Sequence, residues 1–309
     1  MDNTLDKIQV IGLGQACLDC LGEIPFYPQE DGKVELREMH IQCGGPASTA
    51  LVTLSRLGIT TSFIGSISDD YPGREILRGL QEDMVDTTFL KITPGYTSQF
   101  AFIAVTESTG NRNVFWHRGS APFLEPFDVD LSRFQNARIL HLDGLMIGAS
   151  IEAAEQAREM GLKIVCDAGT MREGFLELIS IVDVLIASEG FAKPLVNSAD
   201  TSPERALDEL SRICSGDVVI TLGSRGSIGY FKQNVIFQEA FPVMAVDTTG
   251  AGDVYHGAYI YGLLQGWSMP ECMRFASATS AIKCKEMGAR KGIPGLDEII
   301  KFMDNPDII

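Results

Sequence analysis

One stretch gathers more chemically capable groups than any other part of the chain: Asp247-Thr248-Thr249-Gly250-Ala251-Gly252-Asp253, running into Val254-Tyr255-His256-Gly257-Ala258. The small residues Gly250, Ala251 and Gly252 stand where a helix begins, so their backbone N–H groups can approach an anion unobstructed. Asp253 falls just inside the first turn. A carboxylate is an awkward neighbour for a bound phosphate unless it takes part in the chemistry. There it can accept the proton of an alcohol while the adjacent amides stabilise charge on a transferred phosphoryl group. Phosphoryl transfer depends on alignment and charge stabilisation more than on covalent chemistry. Taken without its flanks, Gly-x-Gly-Asp is also an ordinary helix start whose aspartate merely complements the dipole.

Other constellations are individually weaker. Gly44-Gly45-Pro46-Ala47-Ser48-Thr49-Ala50 opens on paired glycines, which let backbone come close to a ligand or simply turn tightly into a helix. Thr221-Leu222-Gly223-Ser224-Arg225-Gly226 has two glycines able to bring amides to a phosphate, or to close a hairpin. Cys17-x-x-Cys20 and His40-x-x-Cys43 have spacing compatible with structural zinc. Cys43 directly precedes the glycine pair, however, and Cys17 and Cys20 flank Asp19, so buried or half-buried thiols are the preferred reading. Gly12-Leu13-Gly14 suggests a nicotinamide oxidoreductase, but Cys17 stands where a third small residue is needed and no helix is expected there.

These residues need a frame. Lys7–Gly12, Thr61–Gly65, Arg138–Leu142, Lys163–Asp167, Val182–Ile186 and Asp217–Leu222 read as short strands. Helices are expected over Ala47–Gly58, Tyr71–Leu80, Ile151–Met160 (with Ser150 as its cap), Pro203–Cys214, Gly250–Leu264 and Pro270–Cys284. Strands alternating with helices imply a mostly parallel sheet covered on both faces. Two segments, about 16–43 and 96–118, are strand-like without helices between, as in Val34-Glu35-Leu36 and Phe100–Val105; they are expected to form a small β flap.

With 309 residues, 45% of them apolar and 21% charged, the chain can bury a core without disulfides, which excludes wholesale disorder. A formal net charge of −16 argues against a broad nucleic-acid or acidic-membrane surface. Seven cysteines, an odd number, read as reduced thiols of a cytoplasmic protein. The acidic start Met1–Asp6 does not look like a secretory signal, and the apolar run Leu178–Ala187 is too short to span a bilayer.

The complete Asp247–Ala258 string resembles the C-terminal signature of the ribokinase-like (phosphofructokinase B) carbohydrate kinases. Gly44–Ala50, running into Leu54-Ser55-Arg56-Leu57-Gly58, resembles the N-terminal one, and Gly65 through Asp69-Asp70 and Gly73 a third motif. The similarity spans about Gln9 to Pro294. It implies one α/β kinase domain over 1–309: a three-layer α/β/α unit with a mostly parallel central sheet and a small β-sheet lid. It further implies a sugar kinase using ATP and Mg2+, with Asp253 as general base beside the amides of Gly250, Ala251 and Gly252. By the same resemblance Asp19, Gly44, Gly45, Thr49, Lys33 and Arg118 meet the sugar. Thr221, Gly223, Gly226, Gly288, Ser188 and Glu189 lie on the nucleotide side, Glu189 supporting Mg2+ indirectly. Asp247 and Thr249 correspond to residues that bind a monovalent cation such as K+ in several relatives.

The chain departs from the pattern where Thr49 replaces a usual Asn, and where Ser188 and Phe191 replace the ends of Asn-x-x-Glu. Gly-Gly-Pro-Ala-x-x-Ala, Asp253–Ala258 and Gly288-Ala289-Arg290-Lys291-Gly292-Ile293-Pro294 look most like the sulfofructose kinase branch, and Lys33 matches its sulfonate-binding lysine. Gly144 stands where that branch has an arginine, so a neutral ketose or furanose is preferred over sulfofructose. A nucleoside kinase and a silent sugar-binding regulator are the alternatives on the same fold. A homodimer paired through the lid is expected.

Overall fold

The computed structural model describes residues 4–109, 112–196 and 202–305. Strand β1 (Val10–Leu13) leads within three residues into β2 (Cys17–Ile24), and β3 (Met39–Gly44) returns to helix α1 (Pro46–Arg56). Next come β4 (Thr61–Ile67), α2 (Tyr71–Glu82), β5 (Leu90–Ile92), β6 (Phe100–Thr106) and β7 (Arg112–His117). Then β8 (Ile139–Leu142), α3 (Ile147–Glu159), β9 (Lys163–Ala168), α4 (Phe175–Ser180), β10 (Val184–Ser188), α5 (Glu189–Ala192), α6 (Pro203–Ile213) and β11 (Asp217–Thr221) alternate. The hairpin β12 (Ser227–Phe231) and β13 (Asn234–Gln238) precedes α7 (Ala251–Leu264), α8 (Met269–Lys283) and α9 (Leu296–Asp304).

Among the described residues, nine strands form one sheet in the order β13-β12-β11-β10-β9-β8-β1-β4-β5, parallel from β11 to β5. Alternate side chains feed two cores. Val184, Ile186 and Val219 join α1, α7 and α8 on one face, while Leu185, Ala187, Val218 and Ile220 join α3, α4 and α6 on the other. The expected α/β/α layering follows from that period of two. A second sheet, β3-β2-β6-β7, is the lid. Its inward face carries Cys17, Leu21, Ala101, Ile103 and Val105 against Met287 of the main body. Residues 110 and 111 of the second lid segment lie outside the described residues.

Two acids tie the segment leading into the lid to the start of α2. Asp70 caps α2 by accepting from the Gly73 N–H, and also accepts from the Ser98 N–H and hydroxyl just before β6. Asp69 accepts from the Gly95 N–H.

Some expectations change. Val34–Leu36 is not a strand but part of the β2–β3 connection. Helix α3 starts at Ile147, because the Asp143 carboxylate collects the Leu145 N–H and Ser150 N–H already bonds to the Met146 carbonyl; Ser150 is therefore interior, not a cap. The β12–β13 hairpin lacked a sequence signal because its turn is made by Lys232 and Gln233, at φ +49° and +67°, where Asn-Gly is usual. Strand β5 and helices α4 and α9 were likewise not anticipated. Among the described residues no helix is long and apolar enough to cross a membrane.

Candidate active site

The carboxyl ends of the parallel strands face the lid, as expected for a ligand crevice in an open α/β sheet. Asp143 follows β8, Asp167 lies at the end of β9, Ser188 ends β10 and Thr221 ends β11. Helices α1 and α7, which carry the two signature motifs, cross where a Cβ on Gly257 would fall 2.5 Å from the Ala50 carbonyl. Glycine there lets the two helices touch.

Gly250 caps α7 in the left-handed region, φ +74°. The first amides of a helix lack intrahelical partners. Those of Gly252 and Asp253 have no intramolecular acceptor among the described residues, whereas the Ala251 N–H, expected to meet an anion, donates to the Thr248 carbonyl at 3.2 Å. Asp253 is half-buried, and its side chain has no hydrogen-bond partner among the described residues. Desolvation raises its pKa, opposed by His256, Arg112, Lys283 and Arg290.

The sugar-side residues divide. Asp19 is buried on the inward face of lid strand β2; burial pushes its carboxyl up to about 7, against the Cys17 thiol and Arg290. Gly44 lies against this carboxylate, and Gly45, at φ +98°, packs on the Gln15 carbonyl. Arg290 underpins both, its guanidinium donating to the Ser48 hydroxyl at 2.9 Å and the Gly44 carbonyl at 3.4 Å. Thr49, in contrast, is fully buried with its hydroxyl unpartnered among the described residues. Lys33 is exposed in the β2–β3 connection, and Arg118 is exposed with its guanidinium 4.4 Å from the centre of the Phe123 ring. A Cβ on Gly144 (φ +64°) would meet the Phe175 ring at 2.2 Å, so that position does not open on the cleft.

On the nucleotide side a cavity of about 380 Å³ adjoins Gly252 and is lined by Thr221, Gly223, Gly226, Val243 and Ala281 among others. That is ample for a small ligand. Three expected members are otherwise engaged. Ser188 caps α5, accepting from the Phe191 N–H and donating to the Gly169 carbonyl. Glu189 forms an ion pair with Arg225 at 2.6 Å. Gly288 does not line the cavity: it packs against lid residue Gln42, and its N–H donates to Asp247 Oδ2 at 2.7 Å.

Several residues of the site were not anticipated. Asp143, pushed up to about 6 by burial, accepts the N–H groups of Gln15, Leu145 and Ala47 at 2.6, 3.1 and 3.3 Å, tying the β1–β2 turn to α1. Its signal was an acid directly after a buried strand. His256 Nδ1 lies 2.6 Å from the Gly252 carbonyl. Its Nε2 faces the Ile186 carbonyl at 3.2 Å and Asp167 at 3.5 Å. Burial pushes Asp167 up to about 7. Arg112 of lid strand β7 donates to the Thr248 hydroxyl, reaching from the lid to the loop before α7.

The competing constellations come apart. Cys17 and Cys20 project from opposite faces of β2, Cys43 pairs with Leu18 and His40 with Leu21, and among the described residues no His/Cys/Asp/Glu group is arranged to hold a metal ion. After Gly12-Leu13-Gly14 the chain passes into β2 without a helix.

The chain is similar to known proteins over nearly its whole length. The ribokinase of Haemophilus influenzae is 26% identical over 301 residues, covering 95% of this chain and 97% of that protein. A nucleoside kinase of Methanothermobacter thermautotrophicus is 25% identical over 297 residues, covering 94% of each. The structure of Arabidopsis thaliana ribokinase complexed with ribose and ATP superposes with a TM-score of 0.81 at 23% identity, covering 96% of this chain and 98% of that one. Residues 10–295 match the model of the pfkB family carbohydrate kinases, and the chain belongs to that family.

Proposed function

We propose that this kinase transfers the γ-phosphoryl group of MgATP to a hydroxyl of a ketose or furanose sugar, with Asp253 as general base. One observation carries the reading: Asp253, half-buried and unpaired among the described residues, stands beside two equally unengaged amides, next to cavity-lining Gly252 and within electrostatic reach of Asp19 of the acid–glycine pair Asp19–Gly44. The cavity takes the nucleotide, and the ionised Asp19 accepts sugar hydroxyls. Asp253 removes the proton from the attacking hydroxyl as the Gly252 and Asp253 amides take up charge on the moving phosphoryl. The lid excludes water and so limits ATP hydrolysis.

The acids Asp19, Asp143 and Asp167 each lie within electrostatic reach of Asp253, although among the described residues no three acids are grouped to enclose a metal ion by themselves. Magnesium is commonly held by one or two carboxylates with substrate phosphates and water, and there it neutralises phosphate charge. Asp253 and Asp167 are the residues of this chain suited to support it.

Trp116 shares the inward row with Asp19 and Ala101 and is partly exposed. An indole there suits the apolar face of a sugar or a nucleobase, which keeps a nucleoside kinase as the second reading. Sulfofructose recognition loses support, since Lys33 is exposed in the β2–β3 connection and a side chain at Gly144 would run into the Phe175 ring. The outward lid face exposes Met39, Ile41 and Phe115 by 58%, 49% and 51%, which supports a homodimer paired through the lid.

ADP release measured over ribose, fructose, other ketohexoses, nucleosides and sulfofructose tests the assignment. Turnover on one class, lost by orders of magnitude in Asp253→Asn with sugar binding retained, is expected. Unchanged turnover in that variant would overturn the assigned base.

A further inference from the structure

The family resemblance implies a monovalent cation at Asp247 and Thr249, yet here the Asp247 oxygens are already engaged. Asp247 is fully buried. Its Oδ1 accepts the Thr249 N–H at 2.9 Å and the Thr249 hydroxyl at 2.7 Å, and its Oδ2 accepts the Gly288 N–H at 2.7 Å. The Asp247 main-chain carbonyl is taken as well, by Nζ of Lys283 at 2.9 Å.

Lys283 is the last residue of α8 and is itself fully buried. A buried ammonium is costly unless something compensates it. Around it stand the Asp247 carbonyl, the nearby Asp247 and Asp253 carboxylates, and the carbonyl-rich end of α8, all of which favour a positive charge. Arg112 opposes it, and desolvation shifts its pKa downward. The loop it grips is stitched to the same helix end, because the N–H groups of Val246 and Asp247 both donate to the Cys284 carbonyl. Four residues later that loop becomes the N-terminus of α7 with its two free amides.

We infer that the Lys283 ammonium is a tethered substitute for the monovalent cation, holding the Asp247–Asp253 loop in its phosphoryl-binding shape, so that this kinase needs no K+. A free cation beside Asp247 would meet Lys283 at close range and find no unoccupied carboxylate oxygen there. The inference concerns the same site as the proposed reaction and rests on that reading for its kinetic arm alone.

The test compares KCl with tetramethylammonium chloride at equal ionic strength, using wild type, Lys283→Ala, which leaves room for an ion, and Lys283→Met, which fills it. Two readouts are followed: thermal melting with and without MgADP, and turnover on whichever sugar is accepted. Wild-type melting and turnover are expected to change less than twofold or 2 °C with K+. Lys283→Ala should lose at least tenfold in turnover without K+ and recover several-fold with it, with a matching gain in melting temperature; Lys283→Met should lose activity without recovery. Wild-type activation above threefold by K+, or an Ala variant fully active without it, would overturn the inference. The wild-type arm decides even if neither variant folds. Failure to phosphorylate any sugar would remove the proposed substrate class while the melting arm still judged Lys283.

Discussion

The Asp19 carboxylate lies directly over the Cα of Gly44: a Cβ built there would fall 2.0 Å from Asp19 Oδ2. The side chain on β2 and the backbone at the end of β3 therefore form one surface, and only glycine admits it. Gly44→Ala should displace Asp19 and raise KM for the sugar by about tenfold or more, with a smaller effect on kcat. Steady-state kinetics of the purified variant check this, and an unchanged KM would separate Asp19 from the sugar.

Asp19 also sets a pH dependence. Burial raises its carboxyl to about 7, so protonation removes its acceptor character as pH falls below that value. The expected result is a kcat/KM that declines from pH 8 to pH 6, approaching tenfold per unit at the acid end. For folding the sign is the reverse. A carboxyl whose folded pKa is raised is costly when ionised, and that cost is absent below about pH 4 and complete above about pH 7. Asp19→Asn should thus raise the melting temperature of the ligand-free protein at pH 8, with little change at pH 4. Melting curves at the two pH values decide it.

His256 is coupled to the amides proposed to bind the phosphoryl group through a shared peptide group. The Gly252 carbonyl that it grips at 2.6 Å and the Asp253 N–H belong to one planar unit. Replacing His256 with Ala should free that plane and reduce kcat by about tenfold while leaving the sugar KM within about twofold. The kcat–KM split distinguishes this from a loss of sugar contacts.

Arg112 links the lid to the loop ahead of α7 through the Thr248 hydroxyl. In Arg112→Gln the lid should close less firmly, lowering kcat several-fold and increasing the fraction of ATP hydrolysed without sugar phosphorylation. Comparing ADP formed with sugar phosphate formed checks it; full coupling and normal turnover would show that this contact plays no part in closure.

Local pattern determined a good deal about this protein. Strand–helix alternation specified the layered sheet, because the apolar period of two or of 3.6 residues is a property of neighbours along the chain. The start of α7 was legible for the same reason: small residues and an early aspartate have their effect within a single turn. Tertiary structure alone decided which distant groups converge. It put Asp19, Asp143 and Asp167 within reach of Asp253, left Lys33 and Arg118 on the surface, and gave Ser188 and Glu189 to a helix cap and an ion pair. It also directed Lys283 onto Asp247. The direction of a side chain, and the carbonyl it meets, depend on how separate elements cross, and no spacing within either element encodes that.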